Sequence, residues 1–312
     1  MSATNLRVVA VPAMGAEDVL VLTAGPDAGA VVTGTEDGSI WRIRDDGRRI
    51  DRVASTGGRP LGIEELPDGL LLVCDAVRGL LRVDPADGSI EPLLLEVAGT
   101  PMVFCNNAAV AADGTIYLSD SSTRHGIADW KKDLVEDTRT GRLLRLDPDG
   151  TVTVLEDGLA FANGVALAAD ESFVAVAETA ARTVVRHWLS GPRAGTRDHL
   201  VADLPGYPDN IARGSDGLVW VTVASPTDPV VERLQRGPVW LRRQVTRIPE
   251  RVQPRPKRTV RVQAYDDAGT LVHDVGLDTP DYHLVTGVRE HHGRVWLGSL
   301  HEPAVAVVEL EG

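Results

Sequence analysis

The chain has 312 residues, 43% of them hydrophobic, and a formal net charge of −13. That acidic balance argues against a nucleic-acid partner, because phosphate binding draws its affinity from clustered Lys and Arg that release counterions. The length allows two domains, yet barrels and propellers commonly exceed roughly 200 residues as one unit, and a core of useful size can be buried.

The N-terminal stretch MSATNLRVVAVPAMGAEDVL carries one early Arg and an apolar run broken by Pro12. It lacks the roughly 7 to 15 apolar residues that follow a basic start in a secretory leader. No run approaches the roughly 18 apolar residues of a membrane span. A cytoplasmic location and no stable membrane insertion are the expectations.

From there a unit recurs: a polar or Gly-containing opener, an apolar strand, an Asp-Gly turn, a second apolar strand, and a third that ends in Arg. The first copy is GAEDVLVLTAGPDAGAVVTGTEDGSIWRI and the second RPLGIEELPDGLLLVCDAVRGLLRVDPADGSIEPLL. The third begins at FCNNAAVAADGTIYLSD and resumes at GRLLRLDPDGTVTVL, and the fourth is FANGVALAADESFVAVAETAARTVVRHWL. YPDNIARGSDGLVWVTVAS with the distant TVRVQAYDDAGTLV makes the fifth, and LVTGVREHHGRVWLGSLHEPAVAVVEL the sixth. Uninterrupted openers lie roughly 45 residues apart, a period typical of propeller blades.

Alternating Val, Ile and Leu bounded by Asp-Gly turns make each copy a small antiparallel sheet. One such sheet cannot bury both its faces, and six packed radially solve the edge problem. The expected fold is an all-β, six-bladed β-propeller over residues 1–312 as a single domain, with LRVVAVP adding an outer strand to the last blade and closing the ring. A pair of four-stranded sandwiches is the competing arrangement.

Two insertions break the period. SSTRHGIADWKKDLVEDTRT extends blade three, and about 226–258 extends blade five. The second carries Val231, Leu234, Trp240, Leu241, Val245 and Ile248 among many Arg, which reads as a basic amphipathic helix. Such a helix serves a membrane surface or a partner, or forms a lid over one face of the propeller; the lid is the preferred reading. Cys74 and Cys105 are too few for a disulfide framework. They read as buried small apolar residues or as one bridge.

In a propeller the innermost strands run the same way along the axis, so their first residues converge at one end. Aligned by their turns, the openers are Glu17, Leu61 or Gly62, Asn106, Asn163, Asp209 and Thr286. Two carboxylates and two amides aimed at one axis suit a hard divalent cation, which takes six to eight oxygens. Calcium is preferred, with magnesium, manganese or zinc as other occupants; no His or Cys cluster points to zinc. Asn107 and Asn210, each following an opener, can orient ligands or touch substrate. His125, His283 and His301 lie in insertion or loop positions where general-base work is conceivable. His187, His199, His273, His291 and His292 read as outer-strand or turn surface.

GAED, FCNN, FANGVAL, YPDN and LGSLHEPAVAVVEL resemble the calcium-dependent propeller superfamily of gluconolactonase and senescence marker protein, paraoxonase, and strictosidine synthase. SDSSTRHGIADWKKDLVEDTRTGRLLRLDP and AETAARTVVRHWLSGPRAGTRDHLVADLPGYPDNIARGSDG are most similar to the strictosidine synthase-like branch. The resemblance implies that Glu17, Asn106, Asn163 and Asp209 bind the catalytic calcium, that Asn210 matches a further ligand, and that Asp209 matches the proposed nucleophile or general base of gluconolactonase and phosphotriesterase members. Two departures bear on activity. Asp75 stands where the paraoxonase-type His dyad would have its key residue. Thr286 stands where the alkaloid-forming synthases carry their blade-six glutamate.

The expected function is metal-dependent hydrolysis of a small lactone or ester, with Asp209 catalytic and Asn107, Thr286, His283, His301 and His125 around the substrate. A strictosidine synthase-like condensing enzyme, cyclase or isomerase is the alternative, and a non-catalytic, metal-stabilised binding propeller is another. A small-molecule substrate is the expected partner.

Overall fold

Asp-Gly pairs punctuate the chain, and the turns of blades two, three and five work in the same way. The Asp carboxylate accepts the N–H two residues on: Asp68 from Leu70 at 3.2 Å, Asp113 from Thr115 at 2.9 Å, Asp149 from Thr151 at 2.9 Å and Asp216 from Leu218 at 3.0 Å. The Gly then takes a positive φ, between 80° and 88° at Gly69, Gly114, Gly150 and Gly217, which a side chain would resist. Each reversal lays one apolar run antiparallel to the last.

The computed structural model describes residues 6–246 and 258–310. Repetition of these turns produces six four-stranded sheets. Their first strands are Leu20–Val21, Pro60–Glu65, Cys105–Val110, Ala162–Leu167, Gly206–Arg213 and Val285–His291. First strands of successive blades pack on one another from blade two to blade six, so they line the central axis. Blade six recruits Leu6–Ala10 as its outer strand, with Leu6 opposite Val308 and Ala10 opposite Ala304. The ring thus closes as the sequence indicates, and the two-sandwich arrangement is ruled out. A small hairpin, Glu96–Val97 with Thr100–Pro101, was not anticipated.

The main cores lie between blades. Blade five supplies Trp220, Val260 and Val262 to the same buried cluster as Val285, Val288 and Leu297 of blade six. Blades one and six meet through Val31, Ile43, Trp296, Val305 and Val307. Every blade buries both faces in this way, which is what makes the closed ring stable. Cys74 and Cys105, from blades two and three, are buried free thiols in one such interface, so the bridge does not form.

At the beginning of each first strand from blade two onward the pairing slips by a bulge. The slips fall between Pro60 and Ile63, Cys105 and Ala108, Ala162 and Val165, Pro208 and Ile211, and Val285 and Val288. A bulge re-aims side chains. Each one brackets an opener and the residue after it.

The two insertions leave from this same end, since Cys105 pairs with Asp120 and Gly206 with Pro226. Blade three contributes helix α1 (Trp130–Glu136), and blade five contributes α2 (Pro229–Gln235) and α3 (Val239–Val245). Where one amphipathic helix was expected, Gly237–Pro238 splits the segment in two, because Pro238 cannot continue a hydrogen-bonded helix. The expected apolar stripe is only partly covered: Val231, Leu234 and Val245 are half-buried, but Trp240 and Leu241 are exposed. Ile248 lies outside the described residues. Both α2 and α3 rest on α1, with Gln235 donating to Leu134 O at 2.8 Å and Arg242 to Glu136 O at 2.6 Å.

Candidate metal centre

The bulged positions bring residues 193 and 269 apart in sequence into contact. Asn210 donates through Nδ2 to Glu17 Oε1 at 3.1 Å, and Thr286 Oγ1 donates to the Glu17 carbonyl at 2.8 Å. The Asn163 side chain lies near enough to the Asp209 carboxyl to favour its ionised form. Glu17, Asn106, Asn163 and Asn210 are between 1% and 3% exposed, whereas Asp209 keeps partial exposure.

The three amides share one orientation. Their nitrogens are engaged: Asn106 Nδ2 with Ser121 Oγ at 2.9 Å, Asn163 Nδ2 with Thr179 Oγ1 at 3.1 Å, and Asn210 Nδ2 with Glu17. Their oxygens have no partner, and neither does Glu17 Oε2. A buried polar atom left without a hydrogen bond costs about 1–3 kcal/mol, and all four of these belong to an opener or to the residue after one. The donor set is carboxylate plus amide oxygen, which suits a hard cation such as calcium. Among the described residues no group of three or more His, Cys, Asp and Glu could hold a metal, so the candidate donors include amide oxygens.

Burial and mutual repulsion raise the carboxyls at this end. Burial, reinforced by Asp209 and Asp18, holds the Glu17 carboxyl well above its usual range against the opposing pull of Arg59 and Asn210. Desolvation in the channel pushes Asp209 to about 8, opposed by the Asn163 side chain and aided by Asp18. Arg59, itself 6% exposed and tied to Gly15 O at 2.9 Å, is the nearby compensating cation.

The residue after each opener follows a rule that the sequence reading missed. In blade order these are Asp18, Gly62, Asn107, Gly164, Asn210 and Gly287, polar and glycine by turns. Asp18 Oδ2 accepts from Ile63 N at 3.0 Å and Asn107 Oδ1 from Val165 N at 2.9 Å, each reaching the next blade. The glycines leave room for this: a Cβ on Gly62 would sit 2.7 Å from Asn107 Cα, and one on Gly287 2.7 Å from Asp18 Cα. Asp18 is buried, and its carboxyl is raised to about 7, chiefly by desolvation. Asn210 breaks the pattern by turning its amide to Glu17 and leaving its oxygen free. Spacing relative to the openers was the available signal.

Other expected residues are placed as follows. Asn107 and Thr286 are buried at 3% and 1% and spend their polar atoms on neighbouring blades. His283 Nδ1 bonds Glu302 Oε1, and the His301 ring meets His283 edge-on at 5.8 Å. Burial, then His283 and Lys131, lower the His301 pKa. This pair lies at the opener end, since Glu302 O accepts from Gly15 and Ala16. His125 stands apart from the acidic centre, 3.6 Å from Glu136 of α1. Asp75 Oδ1 caps a turn, accepting from Arg59, Val77 and Arg78 N–H groups. An apolar wall also escaped notice: Leu61, Phe104 and Phe161 cluster at this end beneath Ile127 and Trp130 of the insertion, the two Phe rings edge-on at 5.3 Å.

Known proteins share the sequence pattern and the fold. Residues 106–192 match the strictosidine synthase family model. Strictosidine synthase-like 10 of Arabidopsis thaliana is 36% identical over 265 residues, 81% of this chain and 70% of that protein. The adipocyte plasma membrane-associated protein of Rattus norvegicus is 34% identical over 306 residues, 89% of this chain and 80% of its own. Among solved structures, a gluconolactonase from Xanthomonas campestris superposes with a TM-score of 0.70 at 18% identity, covering 98% of this chain and 89% of that one. The calcium-binding protein regucalcin from Agrobacterium tumefaciens gives 0.67 at 12% identity, covering 100% and 96%.

Proposed function

The chain belongs to the strictosidine synthase-like family, and within that family we propose that it is a calcium-dependent hydrolase of a small lactone or ester. The observation that carries this reading is the set of four buried, partnerless oxygens on Glu17, Asn106, Asn163 and Asn210 around a partly exposed Asp209. Bound there, calcium would supply the positive charge that polarises a carbonyl and stabilises a developing oxyanion. Asp209 has the exposure and the proton affinity of a general base, taking a proton from the attacking water. Thr286 and Asn210 hold Glu17 in place from blades six and five. Leu61, Phe104 and Phe161 seat the blade-three insertion at this end, and His283 and His301 would offer a substrate polar contacts there.

Family kinship favours a second reading, a condensing enzyme. It needs a carboxylate in blade six, and Thr286 at that place is committed to the Glu17 carbonyl. A panel of lactones and aryl esters, assayed with and without chelator and repeated for Asp209→Asn, decides. Turnover lost in both treatments supports hydrolysis at this centre; turnover that survives both sinks it.

A further inference from the structure

The blade-five insertion leaves its apolar residues outward. Trp240 is 67% exposed, Val230 59%, Val239 45% and Leu241 36%, all on two adjacent short helices whose other side rests on α1. Exposed apolar residues scattered singly need no explanation, but a large aromatic grouped with three aliphatics does.

Their surroundings are basic in a protein that is otherwise strongly acidic. Between Pro229 and Thr246 the chain carries Arg233, Arg236, Arg242 and Arg243 against Glu232 alone, while the whole chain stands at −13. Arg233 is exposed, and Arg236 is 81% exposed. The neighbouring blade-three insertion is charge-balanced, its Lys132 and Arg139 paired with Asp129 and Asp137, so the excess of positive charge belongs to α2 and α3. Of the possible occupants, an anionic lipid surface answers both features, since it takes up apolar side chains at its interface and attracts Lys and Arg around them. The acidic remainder would be repelled from the same surface, which fixes the orientation: the insertions face the lipid, and the opener end faces it with them.

We propose that α2 and α3 form a peripheral docking surface for anionic lipid bilayers, with Trp240 as the apolar anchor and Arg233 and Arg236 as headgroup contacts. Docking is independent of catalysis, so it is read by binding alone. The test is co-sedimentation of the full chain with phosphatidylcholine vesicles, and with vesicles in which about a third of the lipid is phosphatidylserine. Binding is expected only to the anionic vesicles, and raising salt from about 0.05 to about 0.5 M should release it. Arg233→Gln/Arg236→Gln should weaken it about 30-fold, and Trp240→Ala several-fold, with melting temperatures unchanged because these side chains are exposed. Equal recovery with both vesicle types, or variants that bind as the parent does, would overturn the proposal; failure to bind any vesicle would hand this face to a protein partner instead. Neither result bears on the hydrolase assay, which uses soluble substrates.

Discussion

An amide side chain has a donor end and an acceptor end, and at Asn106, Asn163 and Asn210 the two have opposite fates. The nitrogens are pinned by Ser121, Thr179 and Glu17, while the oxygens are left without partners. Asp209 completes the set with a carboxyl raised to about 8, mainly by desolvation. An unfolded Asp ionises near pH ~3.9. Between that value and about 8 the folded chain therefore holds a proton that the unfolded chain has lost, and stability falls as pH rises through the window. Metal-free protein is expected to melt progressively lower across this range, and Asp209→Asn to flatten the slope. Calcium at the proposed centre would run the other way, because it would displace protons from Glu17 and Asp209. Calorimetric titration should show tighter binding at about pH 8 than at about pH 6, with proton release; equal affinity at both would contradict a carboxylate-based centre.

The bulge is the element that makes this centre possible, and it depends on glycine where two first strands crowd together. A Cβ on Gly164 would sit 2.0 Å from Ile211 N and 2.5 Å from the Asn210 carbonyl carbon. Backbone cannot yield as a side-chain tip does, so Gly164→Ala should cost at least about 1–3 kcal/mol and lower the melting temperature by about 5 °C. It should also weaken calcium binding, because Asp209 and Asn210 must shift. Gly276, on the outer strand of blade five, has open space around its Cβ position, and Gly276→Ala is the matched control with no loss. Leu61, Asn106 and Asp209 were legible in the sequence because each stands seven residues before an Asp-Gly turn, and Asn163 stands seven before Asp170; Glu17 and Thr286 had only the repeat order to mark them. The alternation of Asp18, Gly62, Asn107, Gly164, Asn210 and Gly287 was not legible, since it expresses how close a neighbouring blade comes. The helical insertion in blade five was legible, but its apolar spacing suggested one amphipathic helix, whereas Pro238 starts a second. The junction of α3 with α1 is latched by Glu136, which faces His125 and Arg243 at 3.6 Å each and accepts from Thr246 at 3.4 Å. Glu136→Ala should loosen α3, seen as faster proteolysis after Arg236 or Arg243 and a raised KM with kcat nearly unchanged.

Two devices hold the whole ring, and they act on different blades. Leu6–Ala10 ties the chain's beginning to blade six, and in the proposed function a cation held by the opener oxygens would tie blades one, three, four and five together. Deleting residues 1–11 removes the first device: Val9 and Val11, 7% and 6% exposed, leave the interface, and Ala304–Glu309 becomes an open edge prone to pairing with other chains. Loss of two buried valines alone forfeits about 3–6 kcal/mol, a large part of the 5–15 kcal/mol typical of folded proteins. The truncated protein should melt well below the parent and self-associate on a sizing column. Calcium should restore part of the loss, because a ligand bound only by the folded state stabilises it and the four oxygens come from blades that the deletion leaves intact. Rescue should be incomplete, since Thr286 of blade six also positions Glu17. Melting curves of both proteins with calcium and with chelator separate the two devices. If the truncated chain melts with the parent, the terminal strand is not what closes the ring; if calcium raises neither curve, the oxygens do not meet at one ion.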